Sequence, residues 1–150
     1  MNELDALEDW AGPLLQRLEP TARTKLARTI AQQLRRSQQQ RIAAQRNADG
    51  TPFAPRKPRL RAKRGRVRAK AKMFGKLRTA THLKARGAAA GATVGFTGRV
   101  ARIAKVHQHG SKDRAQRGAP MVKYARRTLL GFTDQELETI RNTLLDHLSM

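Results

Sequence analysis

The sequence predicts an α+β protein with long N-terminal helices, a small antiparallel sheet, a capped C-terminal helix and a basic extended arm in the middle. Apolar residues recur at helical spacing near both ends of the 150-residue chain, over 4–42 and 137–148. Two short runs, 93–96 and 121–124, read as strands. Between Asp49 and Asp113 there is no acid, while 18 Lys and Arg occur, 14 of them within Arg56–Arg86. So one-sided a block repels itself and favours an extended chain.

Taken in order, Leu4, Leu7, Ala11, Leu14, Leu15 and Leu18 share a helical spacing that Gly12-Pro13 interrupts. Proline lacks a backbone donor, so a kink or restart is expected there. Pro20 suits the first turn of a second helix running to about Gln45. Its apolar row is Ala22, Leu26, Ile30 and Leu34, thickened by Ala27 and Ala31, with Ile42 two turns on. Arg23, Arg28, Arg35, Arg36 and the Gln run 38–40 are assigned to the opposite face. Asn47-Ala-Asp-Gly50 has the residues of a turn and ends the helix.

Residues 51–72 are rich in Pro and Arg, with Phe53, Leu60 and Val67 as the large apolar groups, and form the expected flexible arm of a single 1–150 domain. The PxxP spacing at Pro52–Pro55 reads as a stiff spacer before it is read as a ligand for an SH3-type groove. Met73, Phe74 and Leu77 suggest a short helix or turn. Thr93–Phe96 and Met121–Tyr124 are strands. Val100, Ile103, Ala104 and His107 lie on one helical face that stops at Gly110, and 111–119 is a polar loop. Thr133 and Glu136 have the spacing of a capping box, Phe132 and Leu137 that of a hydrophobic staple. Leu137, Ile140, Leu144 and Leu148 then make one stripe.

Composition narrows the function. Thirty-two Lys and Arg against 11 Asp and Glu leave a formal charge of +21. Leu, Ile, Val and Phe supply only 29 residues, so the core must be concentrated in part of the chain. The acids cluster at the ends: net −4 over residues 1–20 and −3 over 128–150. Lack of cysteine excludes disulfides, thiolate metal sites and a cysteine nucleophile. No apolar run reaches the ~18–20 residues of a membrane span, and the acidic start is unlike a targeting peptide, so a soluble cytosolic protein is expected.

No enzyme is expected. The 50–112 stretch has no carboxylate, so no paired acid and base can come from it, and Ser37, Ser111 and Ser149 lack a nucleophile-elbow context. His107-Gln-His109 would put two imidazoles on one side of a strand, but no third ligand of similar quality accompanies them, so neither metal nor cofactor is expected. His107 reads instead as a partly buried packing residue. The candidate contact residues are cations: Arg56, Lys57, Arg59, Arg61, Lys63, Arg64, Arg66, Arg68, Lys70 and Lys72. They suit phosphate or an acidic protein wall. One Trp, one Tyr and four Phe provide no platform for stacking bases, so any nucleic-acid contact would be to backbone. Charge alone thus favours a non-sequence-specific nucleic-acid-binding protein.

Several segments together carry a resemblance. They are Leu34-Arg-Arg-Ser37-Gln; Gln45-Arg-Asn47-Ala-Asp49-Gly50-Thr-Pro52-Phe53-Ala-Pro55-Arg56; Lys72-Met73-Phe74-Gly-Lys76-Leu77-Arg78-Thr; Gly95-Phe96-Thr-Gly98 through Ile103 and His107-Gln-His-Gly110; and Tyr124-Ala-Arg126-Arg-Thr-Leu-Leu130-Gly131-Phe-Thr133. In order and over nearly the whole chain, this resembles the tail-completion, or virion morphogenesis, proteins of contractile-tailed temperate phages. His109 departs from it, standing where an aromatic is expected. The resemblance implies a structural late protein that completes the tail at its head-proximal end and readies it for joining to the head. It also implies a homo-oligomeric neck ring, other phage tail and neck proteins as partners, and location in the virion after assembly in the host cytoplasm; the cationic block is then expected to meet the backbone of virion DNA or an acidic protein surface.

Overall fold

A computed structural model describes residues 3–56, 72–114 and 117–148. Four helices and four short strands follow in the order α1 (Glu3–Leu15), α2 (Pro20–Ala43), β1 (Leu83–Ala88), β2 (Gly91–Phe96), α3 (Val100–His109), β3 (Lys112–Arg114), β4 (Met121–Lys123) and α4 (Asp134–Leu148).

Helix α1 runs through Gly12-Pro13 without a restart. Pro13 falls in its last turn, where the missing donor removes one bond to a helix already ending. Tighter bonds then close the end, Arg17 N to Leu14 O and Leu18 N to Leu15 O at 3.2 and 3.0 Å. Helix α2 starts with Pro20 at its first position and stops at Ala43. Gln45 then takes φ +58, a left-handed conformation that turns the chain out of the helix. Its side-chain amide holds that turn: Nε2 donates to Ile42 O and Met73 O, and Oε1 accepts from Met73 N, all at 2.8 Å.

Two apolar clusters sit at opposite ends of α2. The first joins Leu7 and Ala11 of α1, Leu26 and Ile30 of α2, and Leu137, Ile140 and Leu144 of α4. The second gathers Ile42, Phe53, Ala104 and Leu129, with Met73, Phe74 and Phe96 packed against them. At the 1.5 Å rise of a helix, Ile30 and Ile42 lie about 18 Å apart. Ala22, expected in the apolar row, is exposed, because the row that faces α1 and α4 begins at Leu26.

The antiparallel strands divide into two separate ribbons, β1 with β2 and β3 with β4. Leu83 pairs with Phe96 and Ala88 with Gly91 in the first, and Asp113 with Val122 in the second. Strand β1 was not expected from its sequence, LKARGA. Its one large apolar residue, Leu83, is fully buried, and the strand lies along α2. That approach needs Gly87. A Cβ there would fall 2.6 Å from Ala27 C and Arg28 Cα, inside contact distance. Strand β3 replaces part of the expected polar loop; its three residues are set by pairing with β4 rather than by propensity.

Candidate functional site

The ten cations singled out in the sequence fall mostly outside the described residues: Lys57, Arg59, Arg61, Lys63, Arg64, Arg66, Arg68 and Lys70 all do. Arg56 and Lys72 are described, and they flank the block at one place. Arg56 Nη2 donates to Lys72 O at 3.4 Å. The base that brings these flanks together is built of polar side chains that tie loops to helices and to one another.

Arg127 is the centre of that base. It is 4% exposed, although it stands in the cationic run Arg126-Arg127. Its Nε donates to Ala54 O at 2.8 Å and its Nη2 to Pro55 O at 3.0 Å, so one guanidinium grips the chain immediately before Arg56. Nη1 donates to His107 Nδ1 at 3.1 Å, while the Arg127 backbone N–H donates to His107 O at 2.8 Å. An imidazole that accepts at Nδ1 carries its proton at Nε2 and is neutral. Burial, and next the positive charge of Arg127, push the His107 pKa down to about 4. Burial and the charge of Arg56 likewise lower that of Arg127.

Around this pair the rings of Phe53, Phe74, His107 and Tyr124 stack edge to face in sequence, with centroids 5.7, 4.8 and 5.0 Å apart. Phe53 precedes the basic block and Phe74 follows it, so its two ends also meet through aromatic packing. His107 therefore does pack as expected. The alternate-histidine pair does not converge, because both residues lie on helix α3, where two positions are separated by about 200°. His107 points inward and His109 is exposed. Among the described residues, no group of three or more His, Cys, Asp or Glu could hold a metal.

A second polar node joins α2 to α4. Gln38 is 4% exposed and Glu136 is 4% exposed. Gln38 Nε2 donates to Gly131 O at 2.6 Å and to Glu136 Oε2 at 2.7 Å. Arg41 Nη1 meets Glu136 Oε1 at 3.0 Å, and its Nη2 reaches Leu129 O at 3.0 Å and Gln38 Oε1. Burial lowers the Arg41 pKa, and the charge of Glu136 acts against that. Half of the expected capping box is present: Glu136 N donates to Thr133 Oγ1 at 3.1 Å. The Glu136 carboxylate, however, turns inward to Gln38 and Arg41, a buried charge being best compensated by a cation and further donors. Gln38, expected on the solvent face, is buried for the same reason.

Sequence reading missed these anchors to different degrees. Leu26, Ile30, Leu34, Gln38 and Ile42 advance in steps of four, so Gln38 stands in register with the apolar row. That register is the signal for a buried polar residue. Arg127 carries no such signal, because the residue before it, Arg126, is equally basic and yet exposed. Asn47 and Gln108 complete the set: Asn47 Oδ1 accepts from Thr128 N at 2.8 Å, and Gln108 exchanges bonds of 2.7 and 2.9 Å with the backbone of Leu130.

The chain matches the model of the phage virion morphogenesis family over residues 2–149. It is 40% identical over 150 residues to tail completion protein S of Escherichia phage P2, with 99% of each chain covered. No solved structure matches it. Among the described residues, no helix is long and apolar enough to cross a membrane.

Proposed function

This chain belongs to the phage virion morphogenesis family, and we propose that it completes the tail at its head-proximal end and makes that end competent for joining to the head. Its role is structural, and it resides in the virion tail. The observation that carries this reading is the 40% identity to a tail completion protein along the whole of both chains.

The proposed working form is a homo-oligomeric ring in the neck, assembled in the host cytoplasm, with other tail and neck proteins as neighbours. The basic block is its contact element. The Arg127 clamp supports this, since it holds the residues just before Arg56 on the same small base that holds Met73. A ring would gather the cations of every copy around one opening, facing DNA in the neck or the acidic rim of an adjoining protein.

Phage lacking the protein should accumulate filled heads and unattached tails, the tails defective at the head-proximal end in negative stain. Absence of tails altogether would refute the reading and indicate a tube or baseplate role. Replacing the six Arg from Arg56 to Arg68 with Gln should leave folding intact and complement a deletion poorly; wild-type infectivity would show that the block makes no essential contact. The charge of +21 favours a second reading, non-specific nucleic-acid binding. Tight duplex binding at physiological salt, falling steeply as salt rises, would support it.

A further inference from the structure

Helix α1 stands apart electrostatically. It holds Glu3, Asp5, Glu8 and Asp9 and no Lys or Arg, within a chain of net charge +21. Its inner face packs in the first apolar cluster, while Glu8, Asp9 and Trp10 are exposed, Trp10 by 41%. At the other end of α2, residues 99–114 and 117–126 hold eight exposed Lys and Arg and a single acid, Asp113. There a shallow groove opens between β2 and α3, floored by Phe96, Ala101, Ala104 and Leu130 and edged by the exposed Lys105. The two features are complementary in charge and in apolar character. They lie at opposite ends of α2, so one copy cannot bring them together.

We propose that α1 of one copy docks on the next copy with Trp10 in the groove between β2 and α3 and Asp9 beside Lys105. This rests on the ring reading above and specifies the surfaces that would make the ring. Such a contact is heterologous: each copy gives one surface and receives on the other, as ring closure requires and a two-fold dimer does not. Trp10 is the apolar anchor of a type enriched at interface centres. The acids of α1 would place negative charge on a cationic face and so relieve the repulsion between copies that a charge of +21 imposes.

The lack of cysteine makes the contact directly testable. The full chain carrying Asp9→Cys and Lys105→Cys is oxidised and run on a non-reducing gel, beside each single variant. The expected result is a ladder above the dimer in the double variant, with single variants stopping at dimers. In parallel, sedimentation compares Asp9→Lys, Lys105→Glu and both together. Either reversal should weaken assembly by about tenfold or more, and the swapped pair should recover most of the loss. An oligomer that persists while both reversals leave it unchanged and no ladder forms would overturn this contact but not the ring. A wild-type chain that stays monomeric at all concentrations and within tails would overturn the ring itself, and the contact with it.

Discussion

Removing the Glu136 carboxylate should be among the most damaging single changes to this fold. Glu136→Ala strips Arg41 of its ion-pair partner and Gln38 Nε2 of one of its two acceptors. The Arg41 and Glu136 side chains are 9% and 4% exposed, so water cannot readily take the place of the carboxylate. Breaking a buried pair from one side costs about 3–5 kcal/mol. Arg41 would still donate to Leu129 O and Gln38 Oε1, which places the expected cost near the lower bound, about 3 kcal/mol. Against a total stability of roughly 5–15 kcal/mol this is a large fraction. Urea unfolding followed by circular dichroism should show a midpoint lowered by about 1–2 M at unchanged slope. Glu138→Ala is the control. Its ion pair with Arg141 has the same 3.0 Å length but side chains 49% and 57% exposed, and removing it should cost at most about 0.5 kcal/mol. Arg41→Met combined with Glu136→Leu should recover part of the loss, because no charge is left buried alone. Equal midpoints for Glu136→Ala and Glu138→Ala would refute the reasoning, since burial would then add nothing to an ion pair of the same length.

Three other outcomes follow from the same structure. Gly87→Ala should destabilise by about 1–3 kcal/mol, as its Cβ meets the α2 backbone, whereas Gly95→Ala in the partner strand, with open space around it, should change the urea midpoint far less. Asn47→Ala should cost about 1–3 kcal/mol in the same assay by leaving Thr128 N without its acceptor, and Asn47→Asp, which keeps an acceptor oxygen, should cost less. His107 is held at about 4, below its ordinary 6.5, so the unfolded chain takes up a proton before the folded one does. Stability is therefore full above pH 6.5 and lost as pH falls towards 4, by at most about 2 kcal/mol once partial solvent access is discounted; His107→Asn should flatten that part of the stability–pH curve by the same amount.

What could be read in the sequence was what local chemistry determines. The cap at Thr133, the stop at Gly110 with φ +66 and the stripe through Ile140 and Leu144 each follow from residues within one or two turns. Strands β2 and β4 were legible from their apolar residues. Their partners were not, because LKARGA and KDR have no pattern of their own and pair only once their neighbours are in place. The same division runs through the candidate site. Composition picked out the cationic block, since charge is visible in any context. The clamp on the chain just before it was invisible, because Arg127 and Ala54 lie 73 positions apart and an arginine next to another arginine shows no sign of burial.

Polar side chains take so much of the joining work because apolar ones are scarce. Two small clusters separated by about 18 Å of helix cannot fix the loops between them by burial alone. Each loop is instead held at a backbone group by a directional bond: Gln45 to Met73, Gln108 to Leu130, Arg41 to Leu129 and Arg127 to Ala54 and Pro55. Such bonds fix position and orientation at the expense of desolvating polar groups, which at Arg41 and Arg127 are charged. The fold also leaves large apolar groups, Trp10 and Leu145 near one end of α2 and Ile103 and Phe132 near the other, at the surface. In the proposed ring, copies meeting end to end would cover these groups at both ends.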